Sequence, residues 1–390
     1  MDVDLAKHAM QAEIDRRSPT LIKASHDIHA HPELGFEEHF AHDLLAGILE
    51  DAGLDVTREA HGLATAFRAT KGSSGPLIAV LCEYDALPGI GHACGHNIIA
   101  TAGLGAGLAA ASVAEECGGR VLVLGTPAEE GGGGKVHLLD AGAFDGVDAA
   151  LMVHPAGADL RRMNVIAVQQ VWVTYHGLAA HAAAAPHKGR NALDAAVLGY
   201  MNIATLRQHI RTDERIHGIF TEAGDQANIV PARASAKWFV RAGTIERLAP
   251  LKARVLACLE AGAAAAGCTM DAEWKEPVYA DMRDNEPMLD LYAANAAMLG
   301  RQVVEPRHLS QVTGSTDMGN VSYVVPSMHP MIQVSPPEVP IHSERFVSYA
   351  AEPAGDRAVI DGAKALAMTV ADLWLRPGAL HNVQQAFTSR

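Results

Sequence analysis

Cys94 and His96 stand two residues apart in the stretch EYDALPGIGHACGHN (83–97), the first place in the chain where residue type and spacing suggest chemistry. A thiolate and an imidazole both ligate zinc-like ions, but one Cys-x-His pair alone is more often a buried thiol beside a structural histidine. Later stretches shift that balance. GTPAEEGGGGK (125–135) supplies adjacent carboxylates, Glu129 and Glu130; MVHP (152–155) supplies His154; IHSERF (341–346) supplies His342. Cys94, His96, Glu130, His154 and His342 exceed what one tetrahedral catalytic ion needs. They suit two divalent ions roughly 3.5–4 Å apart that share a bridging group and a water. A thiolate can bridge and a neutral imidazole cannot, so Cys94 is expected to bridge, with Glu130 and His342 on one ion and His96 and His154 on the other. Zinc is the first expectation, with manganese or cobalt as alternatives.

Glu129 is then left without an ion and next to one. A carboxylate there can take the proton of the metal-bridging water and pass it to a leaving amine, the general-base and general-acid task of amide hydrolysis; the plainer reading is a duplicate of Glu130. Asp85, in the same loop as Cys94, is expected to accept the spare ring proton of a ligand imidazole. Competing chemistries lack their patterns. The chain has no HExxH, GxSxG or GxGxxG. The glycine run before Lys135 suggests a phosphate loop, but that pattern needs glycine where Glu129 stands and Ser or Thr where Val136 stands. His26, His29 and His31 resemble a cluster by their spacing, yet they precede the sheet in a boundary segment and are expected to be structural.

The elements that must position these residues follow a strand–helix rhythm. Strands are expected at 77–83, 120–125 and 148–153 and helices at 98–116 and 133–141, after two N-terminal helices, interrupted at Pro32 and closed at Gly53, and an edge hairpin over 54–70. This spacing implies a mostly parallel sheet covered on both faces, with ligands at its carboxyl edge. From residue 166 the rhythm changes. Strands at 166–176, 216–223, 233–241 and 268–276 and helices at 189–210 and 245–266 run β-α-β-β-α-β, the order of a ferredoxin-like sandwich. The first domain resumes near 280 with helix 286–299, strand 302–304, the loop 314–320 and a closing helix 355–375. The expected class is α/β, with a catalytic domain at 1–165 and 280–390 and an inserted α+β domain at 166–279.

The 390 residues suffice for two cores. A net charge of −14 argues against nucleic acid or an anionic membrane as partner. No apolar run is read as a membrane span and no signal peptide is read at the N-terminus. Five scattered cysteines, odd in number, point to a reducing, cytoplasmic compartment.

Taken together with HPELGFEE (31–38), GLAAHAAAAPHKGRNALDA (177–195), NIVP (228–231) and GSTDMGN (314–320), these stretches resemble the aminoacylase/carboxypeptidase family of dinuclear metallopeptidases. The resemblance is to its amidohydrolase subfamily, which acts on N-acyl amino acids, aminobenzoyl-glutamate and hormone conjugates. Within it, EYDALPGIGHACGHN and GSTDMGNVSYVVPS look most like the dipeptidases that cleave dipeptides ending in a basic residue. It implies metal-dependent hydrolysis of an amide bond in a dipeptide or N-acyl amino acid bearing a free carboxylate. It also implies that the inserted domain is a lid that forms a homodimer, and that His181 reaches a neighbouring active site to stabilise the oxyanion. Asn228 or Arg241, with Gly314, Ser315 and Thr316, is implied to hold the substrate carboxylate. The alternative is a catalytically inactive, small-molecule-binding homologue. Many relatives have His or Met where Glu83 stands, so a ligand role at that position does not carry over.

Overall fold

The computed structural model describes residues 1–306 and 313–389. The chain divides into two compact units, Met1–Asn164 with Met282–Arg390, and Val165–Asp281.

The first unit is built on a six-stranded sheet in the order Asp55–Arg58, Phe67–Lys71, Arg120–Thr126, Leu77–Glu83, Ala149–Leu151 and Ser327–Met328. The last four strands are mutually parallel, and the first two add an antiparallel hairpin edge. Every residue of Leu77–Glu83 is buried, because both faces of the strand are covered. Ile78, Val80, Cys82, Val121 and Val123 enter one core with Met10, Leu21, Leu104 and Leu366, while Leu77, Ala79, Leu81, Leu122 and Leu124 enter another with Leu138 and Met318. A strand buried on both faces reads as a continuous apolar run, which is why LIAVLC shows no alternation.

The helix His96–Cys117 lies close on this sheet. At Gly107 an added Cβ would collide with Val123, so the small residues set the approach distance. Its 22 residues are long and apolar enough to cross a membrane, which the sequence reading missed; 94% of that apolar window is buried inside the unit, as befits a core helix.

The second unit is a four-stranded antiparallel sheet ordered Thr269–Trp274, Ala167–His176, Arg233–Ala242, Arg215–Glu222. Helices Ala192–Leu206 and Ile245–Ala265 complete a β-α-β-β-α-β chain path with the connectivity of a ferredoxin-like sandwich. Burial alternates strictly along Arg233–Ala242, and Val171, Val173, Tyr175, Trp238 and Leu259 form the core. Asn191 caps the first helix by accepting from the amides of Leu193 and Asp194, which starts that helix later than the expected residue 189.

Three expectations need correction. The strand expected at 148–153 stops at Leu151; His154–Ala156 then pairs in parallel with Met331–Gln333 in a separate two-stranded sheet. No strand forms at 302–304, where Val304 makes only an isolated bridge to Leu160. A terminal helix, Ala379–Thr388, was not expected at all.

Candidate active site

The parallel strands Leu77–Glu83, Arg120–Thr126 and Ala149–Leu151 end on one edge of the sheet, and the chain leaving each carries a group of interest. The donor atoms of Cys94, His96 and His154 lie within 4.8 Å of one another, and so do those of Cys94, Glu130 and His342. Cys94 belongs to both groups. Its Sγ is 3.4 Å from His154 Nε2, and His342 Nε2 is 3.2 Å from Glu130 Oε1. Glu83, His96 and Glu129 form a third group of the same kind.

Surrounding bonds aim these side chains. His154 Nδ1 donates to the Pro155 carbonyl at 2.7 Å, which leaves the Nε2 lone pair toward Cys94. Asp85 accepts from His96 Nδ1 at 3.0 Å through one oxygen and from the Glu130 amide at 2.8 Å through the other, tying two of the strand-end segments together. The turns that present Glu129 and His342 carry backbone strain. Ala128 (φ 58°) and His342 (φ 62°) are both left-handed, at a cost of about 1–2 kcal/mol each for residues other than glycine. The His342 amide donates to the Ala93 carbonyl, and the Ala128 amide to Oε1 of the buried Glu38, whose other oxygen accepts from Thr65 Oγ1. At Gly134 a Cβ would strike the Pro127 carbonyl, so the glycine run lets the chain fold back directly behind the two glutamates.

The residues present fit divalent cations. His342 Nε2 lies 3.2 Å from Glu130 Oε1, yet the buried Glu130 Oε1 and the buried His96 Nε2 make no aligned hydrogen bond. Buried polar atoms close together but unbonded need a common partner, and a cation supplies one for imidazole, carboxylate and thiol alike. Burial pushes the Cys94 thiol far up in the protein alone, so its use as a thiolate depends on cations nearby. Burial, then the charges of Glu83, Glu130 and Asp317, raise the Glu129 carboxyl well above its ordinary range. A carboxyl so raised holds a proton more readily than an ordinary carboxylate, as a group that takes a proton and then returns it must.

Gly314 and Ser315 are partly exposed, and Thr316 is buried with its Oγ1 accepting from the Met318 amide. The second unit carries His181, Asn228 and Arg241. His181 is exposed and its Nδ1 accepts from the amides of Ala183 and Ala184, which puts the ring proton on Nε2. Asn228 is exposed; Arg241 Nε donates to His217 Nε2 at 3.3 Å. His26 bonds Asp356, His29 the Val347 carbonyl and His31 the Asp27 carbonyl, and none of the three joins a His/Cys/carboxylate group among the described residues.

Sequence reasoning missed Glu83, Lys135, Asp317 and Glu38. The buried ammonium of Lys135 lies against Glu83 and Asp317. The signal was a lysine directly after four glycines, weighed only as a phosphate-loop residue.

Residues 79–371 match the model of peptidase family M20/M25/M40. The chain belongs to that family. It is 39% identical over 401 residues to the Xaa-Arg dipeptidase of Mus musculus, covering 99% of this chain and 93% of that one. It is 31% identical over 447 residues to one of the p-aminobenzoyl-glutamate hydrolase subunits of Escherichia coli (strain K12), covering 96% and 92%. The crystal structure of a dinuclear metal-binding M20 peptidase from Bacillus subtilis superposes with a TM-score of 0.67 at 20% identity, over 92% of this chain and 99% of that one, and shows the common fold. This M20 chain is an enzyme, a hydrolase, and its mostly parallel sheet is that of the family.

Proposed function

We propose that this M20 hydrolase cleaves the amide bond of a dipeptide or N-acyl amino acid that bears a free carboxylate. The observation that carries the reading is the pair of ligand groups that meet at Cys94 with Glu129 beside them. Two divalent cations, zinc first and manganese or cobalt as alternatives, held by Cys94, His96, Glu130, His154 and His342, would supply a polarised carbonyl and a readily ionised water. Glu129 takes the proton from that water and delivers it to the leaving amine. Asp85 holds the His96 ring in one orientation and one tautomer. His181, with its proton on Nε2, donates to the oxyanion, and Asn228 or Arg241, with Gly314, Ser315 and Thr316, receives the substrate carboxylate.

The second unit serves in this reading as lid and as homodimer contact. Its edge strand Arg215–Glu222 leaves Ile219 67% and Phe220 39% exposed, and the adjoining helix leaves Val197 and Met201 exposed. The Tyr200 ring packs 5.9 Å from Phe220, so Phe220 and the helix share one apolar surface, while Ile219 lies on the opposite face of the edge strand. An unpaired edge flanked by such a surface is suited to pairing with a second copy. The setting is a reducing, cytoplasmic one, in which the five free cysteines stay reduced. A non-catalytic binder would not need Glu129 placed against the ligand groups.

The test is turnover by metal-loaded protein on Xaa-Arg and Xaa-Lys dipeptides, N-acyl amino acids and p-aminobenzoyl-glutamate. Hydrolysis of at least one class, abolished by a chelator and restored by zinc, manganese or cobalt, is expected. Turnover of none, or activity indifferent to chelation, would overturn the reading.

A further inference from the structure

Lys135 is the second residue of the Gly134–Asp140 helix and is completely buried. Its Nζ lies 2.5 Å from Glu83 Oε2 and 2.7 Å from Asp317 Oδ1, and its backbone amide donates to Asp317 Oδ2 at 2.8 Å. Both carboxylates are buried as well. The lysine therefore joins three segments of the candidate site: the strand end at Glu83, the turn after Glu129 and Glu130, and the 314–317 segment.

The other oxygen of Glu83 faces His96 Nε2 at 3.1 Å without a hydrogen bond, and Glu83, His96 and Glu129 bring their donor atoms within 4.8 Å of one another. By composition this trio could hold a metal ion. The positive charge already against it is the Lys135 ammonium, fixed on a protein side chain. A carboxylate engaged by a buried ammonium gains little by turning to a metal, and one released from it is a strong ligand with nowhere else to go.

We propose that Lys135 is a positioning residue of the hydrolytic site: an internal cation that keeps Glu83 out of the metal-ligand set at His96 and pins the 314–317 segment beside it. This rests on the two-metal hydrolase reading, since His96 and Glu129 matter only if that site works. Lys135 touches no substrate in the proposal; it acts through Glu83 and Asp317.

The test compares wild type, Lys135→Met and Glu83→Gln/Lys135→Met, each loaded with cobalt(II), whose visible absorption reports its ligands. Lys135→Met is expected to shift that spectrum as Glu83 joins the ligand set. The double variant is expected to return it to the wild-type form, because a glutamine amide is a poor ligand. With a substrate found in the panel, Lys135→Met should lower kcat on the order of 100-fold, as misplacement of a reacting group does. Its KM should rise as the 314–317 segment loosens. A purely structural lysine would lower the melting temperature of Lys135→Met and leave the cobalt spectrum alone; that result, or a shifted spectrum that the second substitution fails to restore, overturns the proposal. If Lys135→Met does not fold, Lys135→Met/Asp317→Asn replaces it under the same criteria, since it releases Glu83 while removing the other buried carboxylate left without a counter-charge. The spectra require no turnover. A protein that shows them and hydrolyses nothing refutes the reaction and leaves the role of Lys135 standing, whereas active wild type with an unaltered variant spectrum refutes the role of Lys135 alone.

Discussion

Glu129 and Glu130 are adjacent copies of one side chain in different surroundings. The Glu130 amide is held by Asp85 and its carboxylate faces His342, whereas Glu129 is grouped with Glu83 and His96 and is pushed toward its protonated form. If the first is a ligand and the second a base, Glu129→Gln should lower kcat roughly 10²–10⁴-fold, with KM changed only a few-fold. Metal content measured on the same sample should stay at the wild-type value; loss of metal would move Glu129 into the ligand set, and an unchanged kcat would remove it from the chemistry. Convergence of Cys94, His96, Glu130, His154 and His342 was legible because such residues at successive strand ends have few other reasons to be there. Lys135 and Glu83 were not legible. Lysine is ordinarily exposed, and a buried ion pair spans segments whose adjacency depends on the completed fold.

At the scale of elements, the doubly covered sheet was legible from the unbroken apolar runs at 77–82 and 121–124, and the second unit from the β-α-β-β-α-β order of strands and helices across 166–276. The path of 152–156 was not, because a strand that leaves one sheet to pair with Met331–Gln333 keeps the same local composition. HPELGFEE matched as a motif without a stated job, and the structure supplies one. Glu38, fully buried, braces the strained Ala128 turn by accepting from its amide. Burial, reinforced by the negative charge of Asp85, raises the Glu38 carboxyl from 4.5 to about 7 despite its hydrogen bonds. The folded protein thus holds this proton to higher pH than the unfolded chain does. The stabilisation linked to it is complete below 4.5 and is lost as pH rises through about 7. Glu38→Gln should remove that slope: relative to wild type, the variant should gain on the order of 3 kcal/mol between pH 4.5 and pH 8. Melting temperatures of both proteins across that range, at fixed metal concentration, check it, and parallel curves would show that Glu38 is not the titrating group.

At the scale of the whole molecule, the proposed homodimer makes a claim that one chain by itself cannot meet. If His181 serves the metal site of a second copy, each active site takes Glu129 from one chain and His181 from the other. Glu129→Gln and His181→Ala homodimers should each be nearly inactive, for different reasons. In a mixed dimer one site loses both groups, while the other combines the intact Glu129 of the His181→Ala chain with the intact His181 of the Glu129→Gln chain. Random re-association of equal amounts makes half the dimers mixed with one sound site in each, so about a quarter of wild-type activity should return. The measurement is activity after dissociation and re-association, with dimer mass confirmed by light scattering. Recovery near a quarter supports a histidine acting across the dimer. No recovery despite confirmed exchange would place His181 in the service of its own chain, and the apolar surface shared by Phe220 and the adjoining helix would then have to be justified by stability rather than by catalysis.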